Sequence, residues 1–186
     1  MEEMILMIDT ALAKQKRVIV AIDGDAAAGK TSLSHKLAAH YNCQVIHMDD
    51  FFLPPKLRTP KRMEEAGGNV DYERFKTEVL TPMLEGKPFS FRAFDCGAME
   101  FADEITIRPF DVVIVEGSYS LHPALNHAYD IKVFMEVEKD EQMRRVRKRN
   151  GAAMAEKFEK SWIPMEKRYH KAFEIKKMCH VVITTI

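Results

Sequence analysis

The segment Gly24-Asp25-Ala26-Ala27-Ala28-Gly29-Lys30-Thr31 constrains this chain more than any other. Its spacing is G-x-x-x-x-G-K-T, and its neighbours set the local fold. Before it, Arg17 to Asp23 is a short, β-branched, apolar run of the kind that forms a strand buried on both faces. After it, Leu33 and Leu37 stand four apart among polar residues, which predicts a helix over Lys30 to Tyr41. A strand, a glycine loop and a helix in that order make a P-loop. Its amides turn inward around a phosphate, Lys30 reaches the outer phosphates, and the Thr31 hydroxyl can take a place on a magnesium ion.

Four further strands follow: Gln44 to Met48, Asp111 to Val115, Ile131 to Val137 and His180 to Ile183, most of them separated by helical stretches. That alternation predicts an α/β fold of the P-loop NTPase kind, a five-stranded parallel sheet with helices on both faces and ligands beyond the carboxyl ends of the strands. Two insertions interrupt it. Phe51 to Gly68, rich in Pro, Lys, Arg and Gly, reads as a mobile loop and precedes a helix from about Asp71 to Glu85. Phe89 to Phe94 and Glu104 to Ile107 read as a small β-hairpin that could form a wall over the sheet's edge. Met1 to Asp9 opens with acids and lacks the basic region of a signal peptide, so an amphipathic helix beside the first strand is expected.

The length of 186 residues, 46% of them hydrophobic, suits one domain over residues 1–186. Its 28 basic and 28 acidic side chains cancel, which argues against nucleic acid or an anionic membrane as partner. No run reaches the 18 apolar residues of a membrane span. Cys43, Cys96 and Cys179 lack metal-ligand spacing and read as reduced, small buried hydrophobes, which fits a cytoplasmic protein.

A phosphate cradle alone names only a donor; something must activate an acceptor. Asp49 and Asp50 end the second strand at the edge where the P-loop opens. A carboxylate there can accept a proton from a hydroxyl in line with the γ-phosphate, or help hold Mg²⁺ through water; the ordinary alternative is a helix cap or turn. Glu116 follows four β-branched residues, Val112 to Val115, and is placed like a Walker B acid to bind Mg²⁺ or orient its water. Arg144 to Arg149 is the one dense basic run; most of it reads as a solvated helix face, with one or two arginines able to close over a transferring phosphoryl group.

With these pieces in order, the chain resembles the superfamily of uridine kinases, nicotinamide riboside kinases and phosphoribulokinases over nearly its full length. Asp49-Asp50-Phe51-Phe52 is similar to the D-D-F-F of nicotinamide riboside kinases and the D-S-F-Y of uridine kinases, and Asn69-Val70-Asp71 to the N-F-D of uridine kinases. Val113 to Gly117 matches the family strand that ends in E-G, Arg144-Arg145-Val146 the R-R-V that opens its lid, and Trp162-Ile163-Pro164 with Tyr169 its next helix. The resemblance implies ATP and Mg²⁺ as cofactors and Gly24, Asp25, Ala26, Ala27, Ala28, Gly29, Lys30, Thr31, Ser32 and Arg149 as the ATP site. It implies Asp49 as catalytic carboxylate with Lys30 and Arg145, and Mg²⁺ shared by Thr31, Asp49 and Glu116.

For the acceptor, the resemblance points to Asp49 and Asp71, with Asp71 gripping a diol and Tyr72 beside it. Uridine kinases read their base with Y-D-F-x-x-H, whereas the matching stretch here is Phe94-Asp95-Cys96-Gly97-Ala98-Met99. A pocket missing that Tyr hydroxyl and His would forfeit roughly 1 to 3 kcal/mol per buried polar group left unpaired, so a different acceptor is open, met by Phe94, Asp95 and Arg92. The expected function is ATP-dependent phosphorylation of a hydroxyl on a small metabolite, a nucleoside or related ribose-containing compound. The alternative is an ATP-binding regulatory or partner protein with little turnover. A GTPase is disfavoured, since no N-K-x-D occurs. Oligomeric state stays open, a homo-oligomer included.

Overall fold

The structure is a computed structural model describing residues 1–186. Five parallel strands form its sheet: β1 (Val18–Gly24), β2 (Val45–His47), β5 (Val112–Glu116), β6 (Ile131–Val137) and β7 (Val181–Thr185), in the spatial order β2-β5-β1-β6-β7. β1 lies at the centre and every residue of it is buried. Its side chains alternate between two cores, as the two-residue period of a strand requires. Val18, Val20 and Ile22 join one cluster with Met4 and Ile8 of α1 (Glu2–Leu12) and Leu37 of α2 (Lys30–Tyr41). Ile19 and Ala21 join the other, with Phe51, Phe75, Tyr119 and Tyr169. The sheet is therefore covered on both faces, and α1 packs beside β1 as its pattern predicts.

The antiparallel hairpin of β3 (Phe89–Asp95) and β4 (Glu100–Ile107) stands apart from the main sheet. Phe91 anchors it, with its ring centroid 5.0 Å from that of Phe51, and so brings the hairpin against the turn that follows β2. β4 starts four residues before the predicted Glu104, because Phe101 and Glu100 extend the pairing beyond a register shift at Arg92/Phe94.

Phe51 to Gly68 is more ordered than its composition predicts. It holds a 3₁₀ turn at Pro55–Leu57 and a short helix, α3 (Pro60–Glu64), capped by the Thr59 side chain on the Arg62 amide. Arg62 supplies the order: its guanidinium donates to Gly68 O at 3.0 Å, Val70 O at 3.0 Å, Tyr72 Oη at 2.7 Å and both Glu73 oxygens at 2.7 Å.

The helical stretch expected over Asp71 to Glu85 consists of α4 (Tyr72–Phe75), a π turn at Lys76–Leu80 and α5 (Thr81–Glu85). A second π turn, Phe158–Trp162, joins α7 (Ala152–Lys157) to α8 (Ile163–Ala172). Each is followed two residues later by a proline, Pro82 or Pro164. A proline has no N–H to donate and its ring crowds the carbonyl four residues earlier, and a widened turn relieves both. No helix is long and apolar enough to cross a membrane. The cysteines are unpaired; Cys43 and Cys179 are half-buried, but Cys96 is exposed at the hairpin turn, where a tight turn leaves no core to enter.

Candidate active site

The P-loop leaves β1 through Gly24, whose φ of 137° and contact with β6 both require glycine: a Cβ there would lie 2.0 Å from Met135 O. Three successive carbonyls of the loop are then tied from outside. Gln142 Nε2 donates to Ala26 O at 3.0 Å, Arg145 Nη1 to Ala27 O at 3.1 Å and Thr185 Oγ1 to Ala28 O at 3.1 Å. A trans peptide points its N–H opposite its C=O, so carbonyls held outward turn the amides inward. Asp25 takes part in the same bracing, its carboxylate accepting from Val137 N at 3.2 Å. Lys30 Nζ lies across the loop, donating to Gly24 O and Asp25 O at 2.8 Å and to Ser118 Oγ at 3.3 Å. Thr31 and Ser32 are exposed in the first turn of α2.

Glu116 ends β5 beside this helix and is 5% exposed. Its Oε1 accepts from Thr31 Oγ1 at 3.2 Å and lies 2.6 Å from His47 Nδ1. The Glu116 hydrogen bond raises the His47 imidazole above its ordinary range, against partial burial, with Asp50 and Asp49 adding to the rise. His47 is a residue that sequence reasoning passed over, although it directly precedes Met48-Asp49-Asp50 on the same strand end.

Asp49 sits on the 3₁₀ turn Met48–Phe51 and faces Gly117: a Cβ on that glycine would lie 3.6 Å from Asp49 Oδ1. Solvent reaches the Asp49 side chain, yet protein atoms crowd the cleft around it. That desolvation raises its carboxyl above the usual range; Glu116 adds to the rise, while Lys30, His47 and Arg149 oppose it. Asp50 is raised as well, first by desolvation, with Asp49 and Glu116 adding and His47 and Arg74 opposing. Asp49, Lys30, Glu116, His47 and Arg149 thus share one charged cleft at the carboxyl ends of β1, β2 and β5.

Asp71 is 8% exposed and caps α4, its Oδ1 accepting from Arg74 N at 3.0 Å while Oδ2 lies 3.9 Å from Arg74 Nε. Tyr72 is half-buried, its ring stacked on His122 at 4.1 Å with the Arg62 guanidinium 4.0 Å from its centroid. The hairpin candidates are engaged within the hairpin. Arg92 donates to Ala102 O at 2.6 Å and Phe101 O at 2.8 Å; Asp95 Oδ1 accepts from Gly97 N at 2.6 Å and Ala98 N at 3.1 Å. Phe94 is 4% exposed and packs edge-on against Phe101. Arg145, besides Ala27, binds Glu141, Thr185 Oγ1 and Ile186 O, which joins the loop to the end of β7. Arg149, near the end of α6 (Lys139–Asn150), donates to Asn150 Oδ1 at 2.8 Å.

Two acids that sequence reasoning missed lie under the cleft. Asp23 is fully buried and organises the turn after β5: its oxygens accept from Gly24 N, Tyr119 N, Leu121 N and Tyr169 Oη at 2.7 to 3.2 Å. Burial raises its carboxyl, but His170, the Leu121 amide and Lys30 outweigh that and hold it below the usual range. Glu166 of α8 reaches the P-loop itself, accepting from Ala26 N at 3.0 Å and from Ser118 Oγ at 2.7 Å.

No family model matches the chain. A uridine kinase of Streptococcus agalactiae is 31% identical over 136 residues, covering 68% of this chain and 65% of that protein, just under two thirds of its length. A uridine kinase of Lactococcus lactis subsp. cremoris is 31% identical over 144 residues, covering 72% of this chain and 69% of that one. In three dimensions the chain is similar to a protein from Bacillus stearothermophilus described as a possible uridine kinase. The TM-score is 0.69 at 18% identity, over 96% of this chain and 95% of the other, which carries the fold.

Proposed function

The chain belongs to the uridine kinase family, and from that premise we propose that it transfers the γ-phosphoryl group of ATP to a hydroxyl of a small ribose-containing metabolite. The observation that carries this reading is the meeting of Asp49 with Lys30, Glu116 and Gly117 in one cleft at the mouth of the P-loop. A bare P-loop serves switches and motors as well as kinases; a carboxylate facing it, with a raised proton affinity, suits a base for an acceptor hydroxyl. The family premise supports an acceptor among nucleosides and their relatives. Residues 1–186 act in this reading as one kinase domain, working in the cytoplasm.

Inward amides of Ala27, Gly29, Lys30 and Thr31 cradle the phosphates, and Lys30 swings from the loop carbonyls onto the outer ones. Asp49 draws the proton from the acceptor hydroxyl as its oxygen meets the γ-phosphorus in line. The proton ends on Asp49 Oδ, the O–P bond to the acceptor forms, and the bond to the β-phosphate oxygen breaks, releasing ADP. Thr31 Oγ1 and Glu116 are hard oxygen donors that meet at 3.2 Å, and no ready-made cage of three or more His, Cys, Asp or Glu side chains exists. That donor set fits Mg²⁺, which takes few protein ligands and fills its shell with phosphates and water. Thr31, Glu116 and Asp49 would hold it, and bound there it would neutralise charge on the β- and γ-phosphates. Asp71 offers a carboxylate to a vicinal diol, and Arg149, whose charge acts on Asp49, would face the transferring group.

The test is ADP release on a panel of nucleosides, nicotinamide riboside and pantothenate. A ribose-containing acceptor should give turnover that Lys30→Ala abolishes. Turnover only on pantothenate, or on none of the panel with ATP bound tightly, contradicts the reading.

A further inference from the structure

Glu166 is a carboxylate lodged in the phosphate loop. It is 7% exposed, and glutamates are almost never buried so far without a paired cation. No Lys, Arg or His nitrogen lies within ion-pair distance of it; its partners are the Ala26 amide at 3.0 Å and the Ser118 hydroxyl at 2.7 Å. Ser118 Oγ in turn accepts from Lys30 Nζ at 3.3 Å, so one hydroxyl separates the carboxylate from the lysine that should meet the outer phosphates. Burial raises the Glu166 carboxyl above its usual range, and the Lys30 charge is the largest influence opposing that rise.

The backbone behind Glu166 is fixed. Three residues on, the Tyr169 hydroxyl binds the buried Asp23 at 2.8 Å, and the Arg168 guanidinium, on the same helix, donates to Met63 O at 2.9 Å. α8 is therefore pinned to β1 and to the loop carrying α3, which fixes the place from which Glu166 acts.

We propose that Glu166 is a resident anion behind the P-loop, competing with the outer phosphates of the nucleotide, through Ser118, for the charge of Lys30. It rests on the phosphate-donor reading above and deepens it: ATP enters against a like charge, which weakens its binding. Through Ser118 the same carboxylate keeps Lys30 in its bonded arrangement until nucleotide draws the lysine onto its phosphates.

The experiment is direct binding of Mg·ATP and of adenosine, by calorimetry, to the parent, Glu166→Gln and Glu166→Ala, with thermal melts to verify folding. The glutamine variant keeps the shape and an acceptor for Ala26 N–H while removing the charge. Both variants should bind ATP at least about tenfold more tightly, as expected for losing one like charge in a partly desolvated site, with adenosine affinity unchanged. ATP affinity equal to or weaker than the parent's in folded Glu166→Gln overturns the inference alone. No ATP binding by parent or variants overturns the donor reading, and the inference with it.

Discussion

Asp49 lies against the α-carbon of Gly117: a Cβ at that position would stand 3.6 Å from Asp49 Oδ1 and 3.0 Å from Met48 Cβ. The glycine at the end of β5 therefore makes room for the carboxylate at the end of β2. Its φ of 131° also belongs to the region that side chains rarely adopt.

Gly117→Ala should thus strain the backbone and press on the Met48-Asp49 turn together. Denaturant unfolding should report a loss of about 1 to 3 kcal/mol. The folded fraction should also turn over more slowly, because Asp49 is displaced. Unchanged turnover per folded molecule would show that Asp49 does not need this seat.

Glu116 joins Thr31 and His47 through one oxygen. Glu116→Gln should raise the magnesium concentration for half-maximal activity at least about tenfold while leaving the fold intact. Titration of activity against Mg²⁺ at fixed ATP reads this directly.

Arg62 binds Gly68, Val70, Tyr72 and Glu73 and so fixes the segment that ends in Asp71. Lysine cannot reproduce that planar fork. Arg62→Lys should raise KM for the acceptor by roughly tenfold, a loss of one to two hydrogen bonds' worth of positioning, and leave KM for ATP nearly unchanged. Steady-state kinetics in both substrates separates the two.

His122 is 8% exposed, packed on Tyr72, and burial pushes its imidazole down from 6.5 to about 4, with Arg62 assisting. The unfolded chain takes up this proton near its ordinary pKa, whereas the folded chain resists until about 4. Stability should therefore fall as pH drops from 6.5 towards 4 and level off below, by roughly 3 kcal/mol for this group. His122→Phe keeps a ring in the stack and removes the proton uptake, so its denaturant midpoint should depend less steeply on pH over that window.

The sheet, the P-loop and the hairpin are legible in the sequence because their signals are local: β-branched runs, a fixed glycine spacing, an alternating pattern. The positions of Asp49 and Glu116 are legible for the same reason, each standing where a strand ends. Asp23 reads only as the last residue of a strand; its role comes from amides at Tyr119 and Leu121, almost a hundred positions away. Glu166 is hidden likewise, since nothing in Pro164-Met165-Glu166 shows that the helix will set a carboxylate on Ala26. Phe51 to Gly68 has a loop's composition, and its order comes from Arg62 reaching forward to Tyr72 and Glu73. The π turns did carry a local signal, a proline two residues beyond each, which a search for helix periodicity overlooks.

The central claim is that Asp49 takes the acceptor proton, and Asp49→Asn tests it most directly, because asparagine keeps the shape and cannot serve as base. With an acceptor identified, kcat should fall by about 10² to 10⁴ while the folded protein binds ATP as tightly as the parent. Phosphorylation by Asp49→Asn at the parent's rate would contradict the account.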